Sequence, residues 1–421
     1  MTHVGRVVVV FAVAAARIDA DDPLTGMELG ERPEPAAASG WVTVTVKAAS
    51  LNHHDVWTLR GVGISADRLP IVLGCDAAGL DQDGHEVIVH SVIGDPDAGG
   101  GDETLDPRRS LLSERYDGTF AERVSVPRRN LVPKPAALSF EEAACLPTAY
   151  LTAYRMLFEK SGVQPGATVL VQGASGGVAT ALILLGRAAG YRIWATSRSE
   201  AKRERAVKVG ADQAFAAGAR LPERVDVVME TVGQATWAHS VRSLRPGGRI
   251  VICGATSGDA PPAELTRIFF TQLSVTGSTM GTRDQLGRLA RFCEQTGVRP
   301  VIDRVLPLAN ARDGFAAMIA GDLFGKVVFV VLAVLARGDD PPEPPGALRA
   351  PLAVPAVVSP GWEGRWPSAG RAIAAFAALL AAVQPMRLGS PCPRQPAERV
   401  PRARRSSAGP ARRARDRRSR S

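Results

Sequence analysis

The chain is poor in cysteine, with five in 421 residues and none paired as C-x-x-C. Cys75, Cys145, Cys253, Cys293 and Cys392 therefore supply no disulfide framework, and they fit a reducing compartment. Long apolar runs are missing too. The apolar stretch Arg371–Val383 is a candidate short helix, but it is too short to span a bilayer, so no membrane span is predicted. Most of the chain also lacks net charge. From Arg337 to Ser421 there are 16 arginines, no lysine and 6 acids, a local +10, while the rest holds 35 basic and 36 acidic side chains, −1. A nearly neutral body excludes specific nucleic-acid binding by the folded part. The segment 336–421 runs through DDPPEPPG to RARRSSAGPARRARDRRSRS and is too rich in Pro, Ala, Gly and Arg to build a core. Its composition predicts a disordered tail, and its arginines leave open both a polyanion-binding arm and an uninformative extension.

What is present is concentrated in Thr168–Ala179, TVLVQGASGGVA. An apolar strand breaks into a glycine-rich turn, and a helix predicted over Val178–Ala189 follows until Gly190 ends it. That layout holds a dinucleotide pyrophosphate. Missing side chains at Gly173, Gly176 and Gly177 let backbone N–H groups close on phosphate oxygens, and the positive end of the helix faces the charge. Here the G-x-G-x-x-G/A fingerprint reads Ala174, Gly176 and Ala179, so its first glycine is absent. A second strand over Arg192–Thr196, where a right-handed crossover returns, supports the unit. Ala174, Ser175, Gly176, Gly177 and Val178 are the phosphate-side candidates, against the plain alternative of an ordinary glycine-rich turn.

One further absence bears on the coenzyme. An NAD site places a carboxylate about 20 positions on, at the end of the second strand, to hold the ribose 2′-OH. This chain offers Ser197, Arg198, Ser199 and Lys202 instead. Hydroxyls and a guanidinium bind a 2′-phosphate, which a carboxylate repels, so the residues predict NADPH over NADH. The competing reading makes Arg198, Lys202 and Arg203 a solvated helix start. Near the N-terminus, Arg6 and the run VVVVFAVAAA (Val7–Ala16) have the look of a signal peptide or of a first buried strand. Dependence on reduced nicotinamide favours the strand and a cytoplasmic location.

Organisation along the chain is two-fold. Up to about Pro135 strands and turns dominate, and in GWVTVTVKAAS Val42, Val44 and Val46 alternate with Thr43, Thr45 and Lys47 as in a half-buried strand. From Glu141 helical and strand periods alternate: a helix over Leu138–Tyr154, then VQPGATVLV, RIWATS, VDVVMETVG and GGRIVICGATSG. This predicts an α/β protein with a doubly wound parallel sheet. A helix over Asp284–Glu294 and a closing strand GKVVFVV, which rejoins the first part, complete it.

At this point a resemblance is visible. AASLNHHDVWTLRG (Ala48–Gly61), PIVLGCDAAG (Pro70–Gly79), DGTFAERVSVP (Asp117–Pro127), EEAACLPTAYLTAY (Glu141–Tyr154), the GASGGV turn and GSTMGT (Gly277–Thr282) occur in the order found in the medium-chain dehydrogenase/reductases. Within that family the chain resembles the zinc-free quinone and enoyl reductases. The resemblance implies a GroES-like, β-rich catalytic domain over 1–135 completed by 297–335, a Rossmann domain over 136–296, and a cleft between them. It also implies a homodimer formed through the Rossmann edge strand.

The same resemblance frames the metal question. In the alcohol-dehydrogenase branch a cysteine stands where Asn52 is, a histidine where Cys75 is, and a further cysteine near Thr148. Asn and Thr are poor zinc ligands, and Ser91–Tyr116 carries no cysteine for a structural zinc lobe. No metal is expected, with a rearranged site on His53 or His54, Cys75 and Asp76 as the alternative. Gly84-His85-Glu86-Val87 imitates a ligand triplet but falls where the family has a surface turn. The resemblance makes Asn52 the donor to a substrate oxygen beside the nicotinamide, against the alternative of a turn-capping Asn, with Asp55 either orienting the loop or a water or capping a helix. Trp57 stands where many quinone reductases have tyrosine, and its indole has no phenolic proton to give. Thr152 is placed on the phosphate or nicotinamide side, and Gly254 and Ala255 lie at the carboxyl end of RIVICG, where such sheets meet ligands. The leading function is NADPH-dependent hydride transfer, without metal, to a small-molecule quinone or activated C=C. A zinc-type alcohol dehydrogenase and a non-catalytic NADPH-binding regulator are the alternatives.

Overall fold

The computed structural model describes residues 9–331, so the predicted tail 336–421 and the stretch Arg371–Val383 lie outside the described residues. The N-terminal apolar run forms a strand, Val9–Ala15, paired antiparallel with Met27–Pro33. Its Ala12, Val13, Ala14 and Ala15 are fully buried.

Alternation in Trp41–Ser50 is realised as predicted, with Val42, Val44 and Val46 inside. This strand is the hub of a seven-stranded sheet. The order is Leu131–Pro133, Glu86–Val89, Asp76–Leu80, Trp41–Ser50, Lys326–Val330, Ile302–Pro307, with Arg123–Pro127 also paired to the hub. The closing strand does rejoin the first part of the chain: Val328 lies opposite Ser50, and on the other side Asp76 lies opposite Ser50. Register alone therefore brings the N-terminal ends of two distant strands to the point where the hub strand ends.

The second sheet has six parallel strands in the order Gln213–Ala216, Arg192–Ser197, Thr168–Val171, Val225–Glu230, Leu244–Ile252, Ser274–Gly277. Chain order reverses beside Thr168–Val171, which opens a crevice at the carboxyl ends of the central strands. Helices cover both faces, so Val169, Leu170 and Val171 are fully buried, and the strand reads as a continuous apolar run.

Between the sheets, the helix predicted over Leu138–Tyr154 is interrupted. Phe140–Ala144 is α-helical, Leu146–Tyr150 widens to a π turn, Leu151–Tyr154 is α-helical, and Arg155–Lys160 widens again. Pro147 has no N–H to give to the preceding turn, which accounts for the first widening. Downstream, Arg283–Thr296 is held by a capping box between Thr282 and Gln285 and stopped by Gly297 at φ 72.

Where the family's structural zinc lobe would lie, a salt bridge does the fastening. Buried Arg155 donates to both oxygens of Asp102 and to Thr104 Oγ1 at 2.9 Å, pinning the 94–112 loop to the widened helix. Removing the cation leaves Asp102 without its counter-charge. Arg155→Leu should cost about 3 kcal/mol of unfolding free energy in urea titration. A loss under about 1 kcal/mol would show that the loop is held by something else.

Candidate active site

The hub strand ends at Ser50, and Asn52, in extended geometry (φ −126, ψ 159), starts the short helix His53–Leu59. Asp55 lies three residues on, and its Oδ2 accepts the Asn52 N–H at 2.8 Å, one half of a capping box. Its Oδ1 accepts the Gly74 N–H at 3.1 Å. Burial pushes the Asp55 carboxyl up to about 7, with Asp76 adding to the rise and the two N–H groups opposing it. Both carboxylate oxygens are taken up by backbone, so Asp55 ties two loops together and presents nothing to a reacting group.

The centre of the site is Asp76. Its Oδ2 accepts Ser50 Oγ at 2.8 Å and Asn52 Nδ2 at 2.8 Å, and its Oδ1 accepts Thr148 Oγ1 at 2.6 Å. Lys326 Nζ lies 3.5 Å from Oδ2 and donates to Leu51 O at 2.7 Å and Asn52 Oδ1 at 2.6 Å. Asp76 is fully buried and Lys326 is 3% exposed.

This arrangement corrects the expectation for Asn52. One Nδ2 hydrogen goes to Asp76, the other to Ser50 O at 3.3 Å, and Oδ1 receives Lys326. With two donors and a carbonyl all engaged, Asn52 has no N–H left for a substrate oxygen. Beside it, exposed His53 and half-exposed Trp57, ring centroids 6.3 Å apart, keep unengaged N–H groups among the described residues.

Zinc does not fit these residues. Cys75 is fully buried, and its Sγ donates to Leu112 O at 3.4 Å. A zinc ligand must be the thiolate. Thr148 is committed to Asp76, and the Lys326 ammonium already supplies the positive charge at the carboxylate. The rearranged set of His53 or His54 with Cys75 and Asp76 does not converge. Among the described residues the one group of three such ligand atoms lying together is Asp81, Asp83 and His85, on the surface turn where His85 was expected.

The coenzyme turn does fit. Gly173 takes the left-handed conformation at φ +77, one residue before the fingerprint's first position. Ala174 is fully buried and its N–H goes to Thr196 O at 2.9 Å, so it shapes the turn and is not free to contact phosphate. Gly176 is exposed with open space where a Cβ would stand, and the helix Gly177–Ala188 that it starts has no side-chain cap. Ser175, Gly177 and Val178 are half-buried around it. A Cβ on Gly177 would come within 2.8 Å of Lys326 Cδ, and Gly325 N–H donates to Ser175 O at 2.9 Å. The turn thus abuts the Asp76–Lys326 pair.

Remaining candidates are dispersed around the same crevice. Ser197 ends its strand with no carboxylate beside it, Arg198 is exposed, and Lys202 Nζ donates to Gly321 O at 2.7 Å. Thr152 is buried on the interrupted helix, while Gly254 and Ala255 are half-buried just past Leu244–Ile252. Lys326 was not singled out from sequence, and Asp76 was named only as a ligand of the alternative metal site. A lone lysine opening the apolar strand KVVFV was the available signal.

Two domains, a dinucleotide turn and a substrate-side polar centre define a nicotinamide oxidoreductase. Two family models match, Alcohol dehydrogenase GroES-like domain over residues 38–136 and Zinc-binding dehydrogenase over 177–295. The acryloyl-coenzyme A reductase of Metallosphaera sedula is 30% identical over 326 residues, covering 72% of this chain and 96% of the relative. A solved NAD-dependent alcohol dehydrogenase is 35% identical with a TM-score of 0.70, covering 76% of this chain and 99% of its own. A 2-octenoyl-CoA carboxylase reductase, CinF, in complex with NADP and 2-octenoyl-CoA is 27% identical with a TM-score of 0.71, covering 78% of this chain and 89% of its own. The chain belongs to the medium-chain dehydrogenase/reductase family, in its enoyl-reductase-like branch.

Lys326→Met and Asp76→Asn should each lower unfolding free energy by about 3–5 kcal/mol, because each leaves one buried charge alone. Combined, the two should cost clearly less than their sum in urea titration. Additive losses would mean that the pair is not coupled.

Proposed function

We propose that the protein reduces an activated C=C bond, of the enoyl or enone type, or a quinone, with NADPH and without a metal. The observation that carries this reading is that Asn52 and Thr148, which stand at two of the three positions where the alcohol-dehydrogenase branch has zinc ligands, both donate to Asp76 of the buried Asp76–Lys326 pair. Enoyl reduction needs less from the protein than carbonyl reduction does. When bound, NADPH supplies a hydride, and the protein's part is alignment and stabilisation of a developing oxyanion.

The roles follow from the positions. The uncapped first turn after Gly176 receives the pyrophosphate, with Ser175, Gly177 and Val178 closing around it. Ser197 and Arg198 receive the 2′-phosphate, and Lys202 joins them on leaving Gly321. Thr152, Gly254 and Ala255 line the crevice on the nicotinamide side. The Asp76–Lys326 pair holds Asn52 and the end of the hub strand in one geometry beside the turn. Names of related proteins support the reading from two directions: reductases of acyl-CoA substrates recur among them, and CinF was solved with NADP. The NAD-dependent neighbour argues the other way on coenzyme, and the missing carboxylate after Ser197 decides for NADPH. The cytoplasm, where reduced coenzyme is available, is the compartment that this chemistry implies. No helix among the described residues is long and apolar enough to cross a membrane.

We propose in addition that two copies pair through the edge strand Ser274–Gly277. Val275 is exposed there, and the helix before it shows Leu265, Phe269 and Phe270 at 64–77% exposure, an apolar patch of the kind that interfaces cover.

Parallel assays of enones, quinones and aldehydes with both coenzymes test the reaction. Arg198→Asp should raise KM for NADPH at least tenfold (about 1.4 kcal/mol) and leave KM for NADH within a factor of about two; equal effects would reject the 2′-phosphate assignment. For the assembly, sedimentation should give a dimer that Phe270→Glu converts to monomer. A wild-type monomer at micromolar concentration would reject the pairing.

A further inference from the structure

Gln172 follows the all-apolar strand Thr168–Val171 and is fully buried. A buried primary amide carries two donors and an acceptor that must all be met. Here all three are met, by two different elements. Its Nε2 donates to His239 Nδ1 at 2.9 Å and to Ser240 Oγ at 2.9 Å, both on the helix Gln234–Ser243. Its Oε1 accepts Thr196 Oγ1 at 2.6 Å, from the neighbouring strand.

The partners give this network a direction. Ser240 Oγ–H donates to Glu230 Oε2 at 2.6 Å, so Ser240 meets Gln172 with a lone pair. Glu230 is fully buried and has no ion-pair partner among the described residues. It is held by the N–H groups of Val232 (2.8 Å) and Gly233 (3.0 Å) and by Thr236 Oγ1. His239 Nε2 faces the Ala219 carbonyl at 2.9 Å, so it carries the proton and Nδ1 is the acceptor. Burial lowers the His239 pKa below 6.5 and keeps that neutral form. At the far end, Thr196 gives its hydroxyl proton to Gln172, its Oγ1 lies 3.4 Å from Gly173 N, and its carbonyl accepts Ala174 N–H at 2.9 Å.

One side chain therefore connects the carboxyl ends of three strands to the first two residues of the coenzyme turn, and through His239 to the loop at Ala219. We propose that Gln172 and Thr196 are positioning residues for the dinucleotide: they fix the orientation of Gly173 and Ala174 so that the N–H groups from Ser175 to Val178 converge on one pyrophosphate. The proposal rests on the reading that this turn binds a nicotinamide coenzyme. It explains how the turn keeps its shape with alanine at the fingerprint's first position. Neither residue touches the adenosine 2′ position or the substrate side, so their effect falls on both coenzymes alike and on binding alone.

The test is fluorescence titration of the full-length protein with NADPH and with NADH, together with kcat at saturating coenzyme. Thr196→Val removes the hydroxyl that joins Gln172 to Gly173. It should raise Kd for both coenzymes about tenfold with kcat changed less than twofold, and Thr196→Ser should restore Kd to within about threefold. Gln172→Leu should act similarly, and Gln172→Leu with Thr196→Val should be no worse than the stronger single change. Nitrogen NMR of labelled histidine should show the Nε2–H tautomer of His239 in the wild type. Should Gln172→Leu fail to fold, the two Thr196 variants decide the matter. Unchanged Kd in Thr196→Val, a loss confined to NADPH, or a fall in kcat with Kd intact would each overturn the proposal. A wild type that binds neither coenzyme would overturn the functional reading on which it rests.

Discussion

Everything on the substrate side depends on a carboxylate and an ammonium buried 3.5 Å apart, Asp76 and Lys326. Two charges withdrawn from water are tolerated only when every remaining donor and acceptor around them is met. Here Ser50, Asn52, Thr148 and the Leu51 carbonyl complete the set. The same requirement that makes the pair stable makes it closed, with no lone pair or proton left over for a metal or a substrate. A zinc centre works the opposite way, since it holds three ligands and keeps a fourth position open.

Lys326 also faces the other domain. Its stem lies against Gly177, where a Cβ would be 2.8 Å from Cδ, and the residue before it bonds to Ser175. Gly177 is therefore constrained from two sides: it opens the helix that the coenzyme is proposed to meet, and it makes room for the lysine that neutralises Asp76. Any side chain there would press on the Lys326 stem and on Ala149.

Much of this was legible in the residues. Alternating valines placed the hub strand, the glycine-rich turn placed the crossover, and Asn52 followed three positions later by Asp55 is a helix-start signature. The lack of thiols at Asn52 and Thr148 already argued against zinc. What escaped was whatever depends on register between distant strands. Lys326 meets Leu51 and Asn52 across 275 and 274 residues, and no local pattern couples them. Asn52 was read as a free donor for that reason: its chemistry is decided by a lysine from the other end of the fold. The fingerprint's first position falls on Ala174, whereas the turn takes positive φ one residue earlier, at Gly173. The broken helix after Phe140 was different, since Pro147 announced it and the apolar periodicity around it obscured the signal.

The two polar centres of the molecule differ in a way that matters for what each can do. Around Asp76 the negative charge is answered by a cation, and the network is compact and local to the hub strand's end. Around Glu230 no cation answers among the described residues. Four hydrogen-bond donors, two of them backbone N–H groups, hold the carboxyl, and the orientation passes through Ser240, Gln172 and Thr196 to the turn. A connected chain of hydrogen bonds polarises its members along its length and resists reorientation. An ion pair secures position, whereas a directed chain secures orientation. A pyrophosphate site needs the second, because backbone N–H groups bind an anion only when they point at one place. The molecule thus has a closed charge pair at the end of the hub strand and a directed hydrogen-bond chain that ends at the glycine-rich turn.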